Sequence, residues 1–79
     1  IHPHYPKSAK SDEVEGTVWL RVLVSENGDV VDAVVLKSVR EDLDKAALEN
    51  AWEIKYQPAI SQSRPIAVWI VYSITFKLN

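Results

Sequence analysis

The last stretch of the chain, Ile66-Ala67-Val68-Trp69-Ile70-Val71-Tyr72-Ser73-Ile74-Thr75-Phe76-Lys77-Leu78, constrains the fold more than any other feature. At a period of two, Ile66, Val68, Ile70, Tyr72, Ile74, Phe76 and Leu78 share one face. Ala67, Trp69, Val71, Ser73, Thr75 and Lys77 share the other. This alternation predicts a long strand over 66–78 with one buried face. If such a strand lies at a sheet edge, it offers a row of unpaired backbone groups. Lys77 is its one charge. Edge strands are usually blunted by Pro, inward charges or bulges, so a long unblunted edge points to a second chain pairing there.

With 79 residues, the chain is expected to form a single domain over 1–79. A domain this small buries roughly 60% of its unfolded surface, so its core is modest. An apolar fraction of 47%, rich in Val, Ile and Trp, predicts an ordered globule. The formal net charge is −2 and no basic stripe appears, which argues against nucleic acid as a partner. Without cysteine there is neither a disulfide framework nor a zinc knuckle. The sequence contains no Met, no signal peptide and no apolar run long enough for a spanning helix. It reads as a piece of a longer protein, with any membrane anchor outside it.

Ile1-His2-Pro3-His4-Tyr5-Pro6 is extended, because a residue before Pro is pushed from helical geometry. Pro6 then starts a short helix to about Asp12, with Tyr5 and Ala9 on one face. Val14 to Ser25 alternates as a strand, and Gly16 marks a bulge or a close backbone approach. Asn27-Gly28 signals a hairpin with both turn residues at positive φ. The returning strand runs from Val30 to about Ser38, with Val30, Asp32, Val34, Leu36 and Ser38 on one face. A helix follows from Glu41 or Asp42 to Ile54, acidic in its first turn and capped by Ser38 or Asp42. Leu43, Ala46, Ala47, Ala51 and Ile54 form its apolar stripe. Pro58 forbids its continuation, and residues 60–65 read as a polar loop.

The element order is helix, strand, strand, helix, strand. The second helix lets the third strand return parallel to the second, and crossover handedness places it beside the first. The expected fold is α+β, a two-layer sandwich. Its sheet is three-stranded, antiparallel or mixed, in order 2-1-3, with two helices on one face. The strand at 66–78 is then an edge.

No constellation of side chains indicates catalysis, so the chain is read as a non-enzyme without a cofactor. His2 and His4 lie two apart in an extended segment, but two ligands are too few for zinc. Ser38, Ser61, Ser63 and Ser73 lack a Gly-x-Ser-x-Gly elbow. Glu41, Asp42 and Asp44 do not have calcium-loop spacing and fit helix-start charges. Trp19, Leu23, Trp69 and Val71 fall together on the sheet face away from the helices. Cross-strand packing and partner contact both remain open for them.

Several motifs, in order and at matching spacing, resemble the TonB C-terminal domain family over essentially the whole chain. They are Pro3-His4-Tyr5-Pro6-Lys7-Ser8-Ala9, Glu15-Gly16-Thr17-Val18, Val24-Ser25-Glu26-Asn27-Gly28-Asp29-Val30, Leu43-Asp44-Lys45-Ala46-Ala47, Tyr56-Gln57-Pro58-Ala59, and Pro65-Ile66 through Phe76-Lys77-Leu78. The chain departs from the family pattern at Val39-Arg40, Ile54 and Ser63-Arg64.

The resemblance implies a periplasmic domain of an energy transducer. Such a transducer is anchored in the inner membrane by an N-terminal helix and driven by the proton-powered ExbB–ExbD complex. The implied partner is an outer-membrane transporter, whose TonB box adds as a strand to the domain's last strand. Force on the box then serves uptake of siderophores, cobalamin or other scarce substrates. On this reading Val68, Trp69, Ile70, Val71, Tyr72, Ser73, Ile74 and Thr75 form the docking ladder. By the same resemblance His4 and Tyr5 lie near the transporter's mouth, or else Tyr5-Pro6 serves purely as a helix-start device. The same edge could instead pair two copies into a homodimer, and related domains are also linked to membrane sensors.

Overall fold

In the computed structural model, which describes residues 4–78, one central strand organises everything else. β1 (Gly16–Val24) lies between β2 (Val30–Lys37) and β5 (Val68–Phe76), both antiparallel to it, giving the order β2-β1-β5. This is the expected 2-1-3 arrangement. Period-two alternation places Val18, Leu20, Val22 and Val24 inward, and all four are buried. Burying a side chain such as Leu20 contributes about 1.5–3 kcal/mol.

α2 (Glu41–Glu53) covers the inner face through Leu43, Ala46, Ala47 and Ala51, all buried as its stripe predicts, whereas Ile54, expected as the last member of the stripe, is the extended C-cap residue and only half-buried. Its small alanines let the helix approach the sheet closely. α1 (Lys7–Ser11) packs Ala9 into the same core. Polar contacts tie α1 to the start of α2: Ser8 Oγ donates to Asp42 at 2.6 Å, and Arg40 bridges Asp12 at 2.9 Å and Asp42 at 2.8 Å. The result is an α+β two-layer sandwich with both helices on one side.

Local details differ from the sequence-based expectations. α2 has Arg40 at its N-cap position with no side-chain cap. Asp42 accepts the Leu43 N–H at 2.9 Å and Asp44 accepts the Val39 N–H at 3.0 Å, so acidic groups satisfy neighbouring donors from inside the helix. At Gly16 the backbone closely approaches its neighbour. A Cβ there would sit 2.9 Å from a Val39 methyl group.

The β1–β2 turn is not the two-residue type. Gly28 has φ +86°, but Asn27 does not have positive φ, and the Gly28 N–H donates to Ser25 at 3.0 Å. The loop therefore spans Ser25 to Asp29 around a type I-like turn, with Gly28 absorbing the left-handed position.

β2 does not present Val30, Asp32, Val34 and Leu36 on one face. Its register against β1 shifts between Leu23 and Val24, and again between Trp19 and Leu20. Val31 and Leu36 are the extra, bulged residues. Each bulge reverses the phase, so Val30, Ala33 and Val35 turn toward the core while Val31, Val34 and Leu36 are exposed.

The stretch at 60–65 is not a loop. β3 (Ala59–Ser61) pairs with β4 (Arg64–Ile66) through Gln62 and Ser63, which have φ +50° and +66°. Two consecutive left-handed residues make a tight hairpin turn whose twist suits the strands. Pairing in this hairpin withdraws Ile66 from the long strand. The run 66–78 thus shortens to Val68–Phe76. No described helix is long and apolar enough to cross a membrane.

Candidate strand-docking edge

β5 alternates as its sequence predicts. Val68, Ile70 and Tyr72 are half-buried, Ile74 and Phe76 are buried, and Trp69, Val71, Ser73 and Thr75 are exposed. Its pairing with β1 runs without a shift from Gly16 opposite Phe76 to Val24 opposite Val68. No described strand pairs on its other side.

The direction of the free backbone groups follows from one hydrogen bond. The Ser25 N–H donates to the Asp29 carbonyl at 2.8 Å, on the β2 side. In an antiparallel ladder, alternate residues direct both backbone groups to the same neighbour. Odd-numbered residues of β1 therefore serve β2, and even-numbered ones serve β5. The register then pairs Val68, Ile70, Tyr72 and Ile74 with β1. Trp69, Val71, Ser73 and Thr75 direct their N–H and C=O groups outward. Of the docking ladder read from the sequence, these four residues carry the free hydrogen-bonding groups. The other four anchor the strand.

The edge is held firmly from behind. The Tyr5 ring meets Phe76 edge-on at a centroid distance of 5.5 Å, and Tyr56 meets Tyr72 at 6.5 Å. The Tyr72 hydroxyl donates to Asn50 of α2 at 2.9 Å. Thr17 and Thr75 hydroxyls lie 2.9 Å apart across the strand pair, and Glu15 accepts the Leu78 N–H at 2.6 Å. Burial raises the Tyr56 and Tyr72 hydroxyls above the usual tyrosine value. A strand fixed in this way loses little entropy when another pairs with it.

The other sheet edge is different. β2 carries two bulges with Asp32 and Lys37 alongside, the devices that twist and charge an edge against pairing. β5 has no bulge and no Pro, and its nearest charge, Lys77, lies beyond the strand end.

Tyr5 does not belong to the edge itself. Its hydroxyl donates to the Val14 carbonyl, and burial, followed by Glu15 and Asp42, raises its pKa. His4 is exposed at a shallow surface pocket with Pro6, Asp42, Lys45, Ala46 and Glu49. His2 lies outside the described residues. Among the described residues, no three His, Asp or Glu side chains gather as a metal site would need.

On the outer face, Trp19 stands opposite Ser73 and Trp69 opposite Leu23, each a little over two-fifths exposed. The expected cluster of Trp19, Leu23, Trp69 and Val71 is interrupted by Arg21, whose guanidinium carbon lies 4.5 Å from the Trp69 ring centroid. Sequence reading passed over Arg21. The available signal was its alternation in phase with Trp19 and Leu23.

Comparisons with known proteins agree with this architecture. The family described as "Gram-negative bacterial TonB protein C-terminal" matches residues 1–78. Protein TonB of Vibrio cholerae is 34% identical over 80 residues, covering 100% of this chain and 33% of the relative. Protein tonB2 of Pseudomonas aeruginosa is 38% identical over 78 residues, covering 98% of this chain and 29% of the relative. The chain thus spans about a third of the length of these curated relatives. The solution structure of the Helicobacter pylori TonB C-terminal domain superposes with a TM-score of 0.74 at 27% identity, covering 98% of this chain and 70% of that one. The chain belongs to the TonB C-terminal domain family, which is not a family of enzymes.

Proposed function

We propose that this chain is the periplasmic, transporter-gripping domain of a TonB-type energy transducer. The whole protein would be anchored in the inner membrane by a helix outside this sequence and driven by ExbB–ExbD. The TonB box of an outer-membrane transporter adds to the edge of β5 as a further strand. Force transmitted through the sheet then acts on the transporter to admit a scarce substrate such as a siderophore.

The observation that carries this reading is the contrast between the two sheet edges. β2 is bulged, whereas β5 holds an unbroken register with Trp69, Val71, Ser73 and Thr75 facing outward. Main-chain pairing is tolerant of sequence, which suits a domain that serves several transporters. A second contact near the transporter's mouth would fall to His4; its exposure beside α2, with Tyr5 packed on Phe76 next to it, supports that reading.

The test is an amide-shift titration with a transporter N-terminal peptide containing the box. Shifts are expected at residues 68–75, with smaller ones around His4. Shifts confined to β2, or none at saturating peptide, would overturn the proposal. The same free edge also suits a second copy of the chain. Size-exclusion chromatography separates this alternative, since a dimer built on β5 dissociates when peptide is added.

A further inference from the structure

Among the described residues, one cation on the outer sheet face has no carboxylate partner. Arg21 extends from β1 onto the ring of Trp69, a residue of the edge strand itself. Asp32 lies diagonally across the face on β2, opposite Leu23. Arg21 forms no ion pair with it, and Asp32 instead accepts the Ala33 N–H at 2.8 Å. Among the described residues, the ion pairs belong to Arg40 and Lys55. The guanidinium therefore rests on the side of the face toward the free edge, with its charge unneutralised.

Any strand added to β5 places every second side chain on this same face, beside Trp69 and Val71. Two strand spacings, roughly 9.6 Å, separate β1 from the added strand. An arginine and a glutamate can bridge that gap together, and the Trp69 ring keeps the guanidinium extended between them. A ring on one face of the ion pair also excludes water, which strengthens the attraction.

We infer that Arg21 reads an acidic side chain on the docked segment. The partner class is thereby narrowed to extended segments bearing Asp or Glu on the outer face next to Trp69 and Val71. This rests on the strand-addition reading above. Backbone pairing would supply most of the affinity, and the Arg21 contact would set the register by fixing which residue of the segment lies beside Trp69. Lys37 cannot substitute, because it stands on β2, opposite Trp19 and at the far side of the sheet.

The experiment starts from a transporter N-terminal peptide that binds in the titration. Each position is replaced in turn by Glu, Gln and Lys, and affinities are measured against wild type, Arg21→Met and Arg21→Glu. Met keeps much of the apolar stem on Trp69 but removes the charge. One position is expected to prefer Glu over Gln by about two- to fivefold, the range of a partly exposed ion pair. That preference should vanish in Arg21→Met, fall with added salt, and give way in Arg21→Glu to a preference for Lys. If peptides bind but no position shows a Glu preference that depends on residue 21, this inference fails alone. If no peptide binds, strand addition fails and this inference falls with it.

Discussion

The N–H of Tyr56 donates to the carbonyl of Gly28 at 2.8 Å, tying the β1–β2 turn to the segment that leaves α2. Lys55 reinforces the junction, bonding Asp29 at 2.6 Å. A Cβ at residue 28 would lie 2.0 Å from the Tyr56 carbonyl oxygen, and φ is +86°. Gly28→Ala thus meets both backbone strain and a clash that no rotamer relieves. It should cost about 2–4 kcal/mol in urea unfolding, the range for a strained backbone position combined with repacking. A loss below about 0.5 kcal/mol, the scale of an ordinary surface change, would show that the junction yields freely.

Glu13 offers the opposite prediction. α1 ends with the Val14 N–H bonding Ala9 at 2.9 Å and the Glu13 N–H bonding Lys10 at 3.2 Å, and Glu13 has φ +55°. That is a Schellman ending with Glu where Gly is usual. Glu13→Gly removes the left-handed penalty of about 1–2 kcal/mol, less the extra chain entropy of glycine. A net gain of about 0.5–1 kcal/mol in unfolding free energy is expected. Destabilisation would mean that the Glu13 side chain contributes more than its backbone costs.

The main architecture was legible in the sequence because one buried face forces one phase. Ile70, Tyr72, Ile74 and Phe76 admit only one orientation of β5, and the crossover through α2 leaves only the place beside β1. β2 was not legible in the same way. Val30-Val31-Asp32-Ala33-Val34-Val35-Leu36 is apolar in both phases, so nothing local reveals where a bulge switches the face. The β3–β4 hairpin was hidden because Gln62-Ser63 lacks the Gly or Asn that announces consecutive left-handed residues. The free edge of β5 was readable, but which half of its backbone groups face outward required the Ser25–Asp29 bond.

That phase makes neighbouring prolines behave differently. Val71→Pro deletes an N–H that faces outward, so the sheet keeps its ladder and stability falls by about 1 kcal/mol. Ile70→Pro deletes one that bonds β1 and should cost about 3 kcal/mol. Peptide affinity in Val71→Pro should drop about tenfold or more, since one docking bond is lost and the ring obstructs close approach. Equal stability of the two variants, or undiminished binding by Val71→Pro, would reverse the assignment.

The link between α1 and α2 should set the domain's sensitivity to acid. Asp42 accepts hydrogen bonds from Arg40 at 2.8 and 3.0 Å, from Ser8 at 2.6 Å and from the Leu43 N–H at 2.9 Å. Arg40, followed by Ser8, holds the Asp42 carboxyl well below the usual carboxylate range. The folded pKa is thus depressed relative to the unfolded chain, where an aspartate titrates near about 3.9. Between those values the unfolded state binds more protons, so stability rises with pH through the interval. The contribution is fully present at neutral pH and begins to fade as pH falls toward about 4, with further loss below it. Asp42→Asn removes the titrating group. Its stability deficit relative to wild type, measured by urea unfolding, should therefore be largest near neutral pH and shrink steadily on acidification. A deficit that stays constant down to the acid limb would show that the carboxylate's charge does not hold α1 on α2.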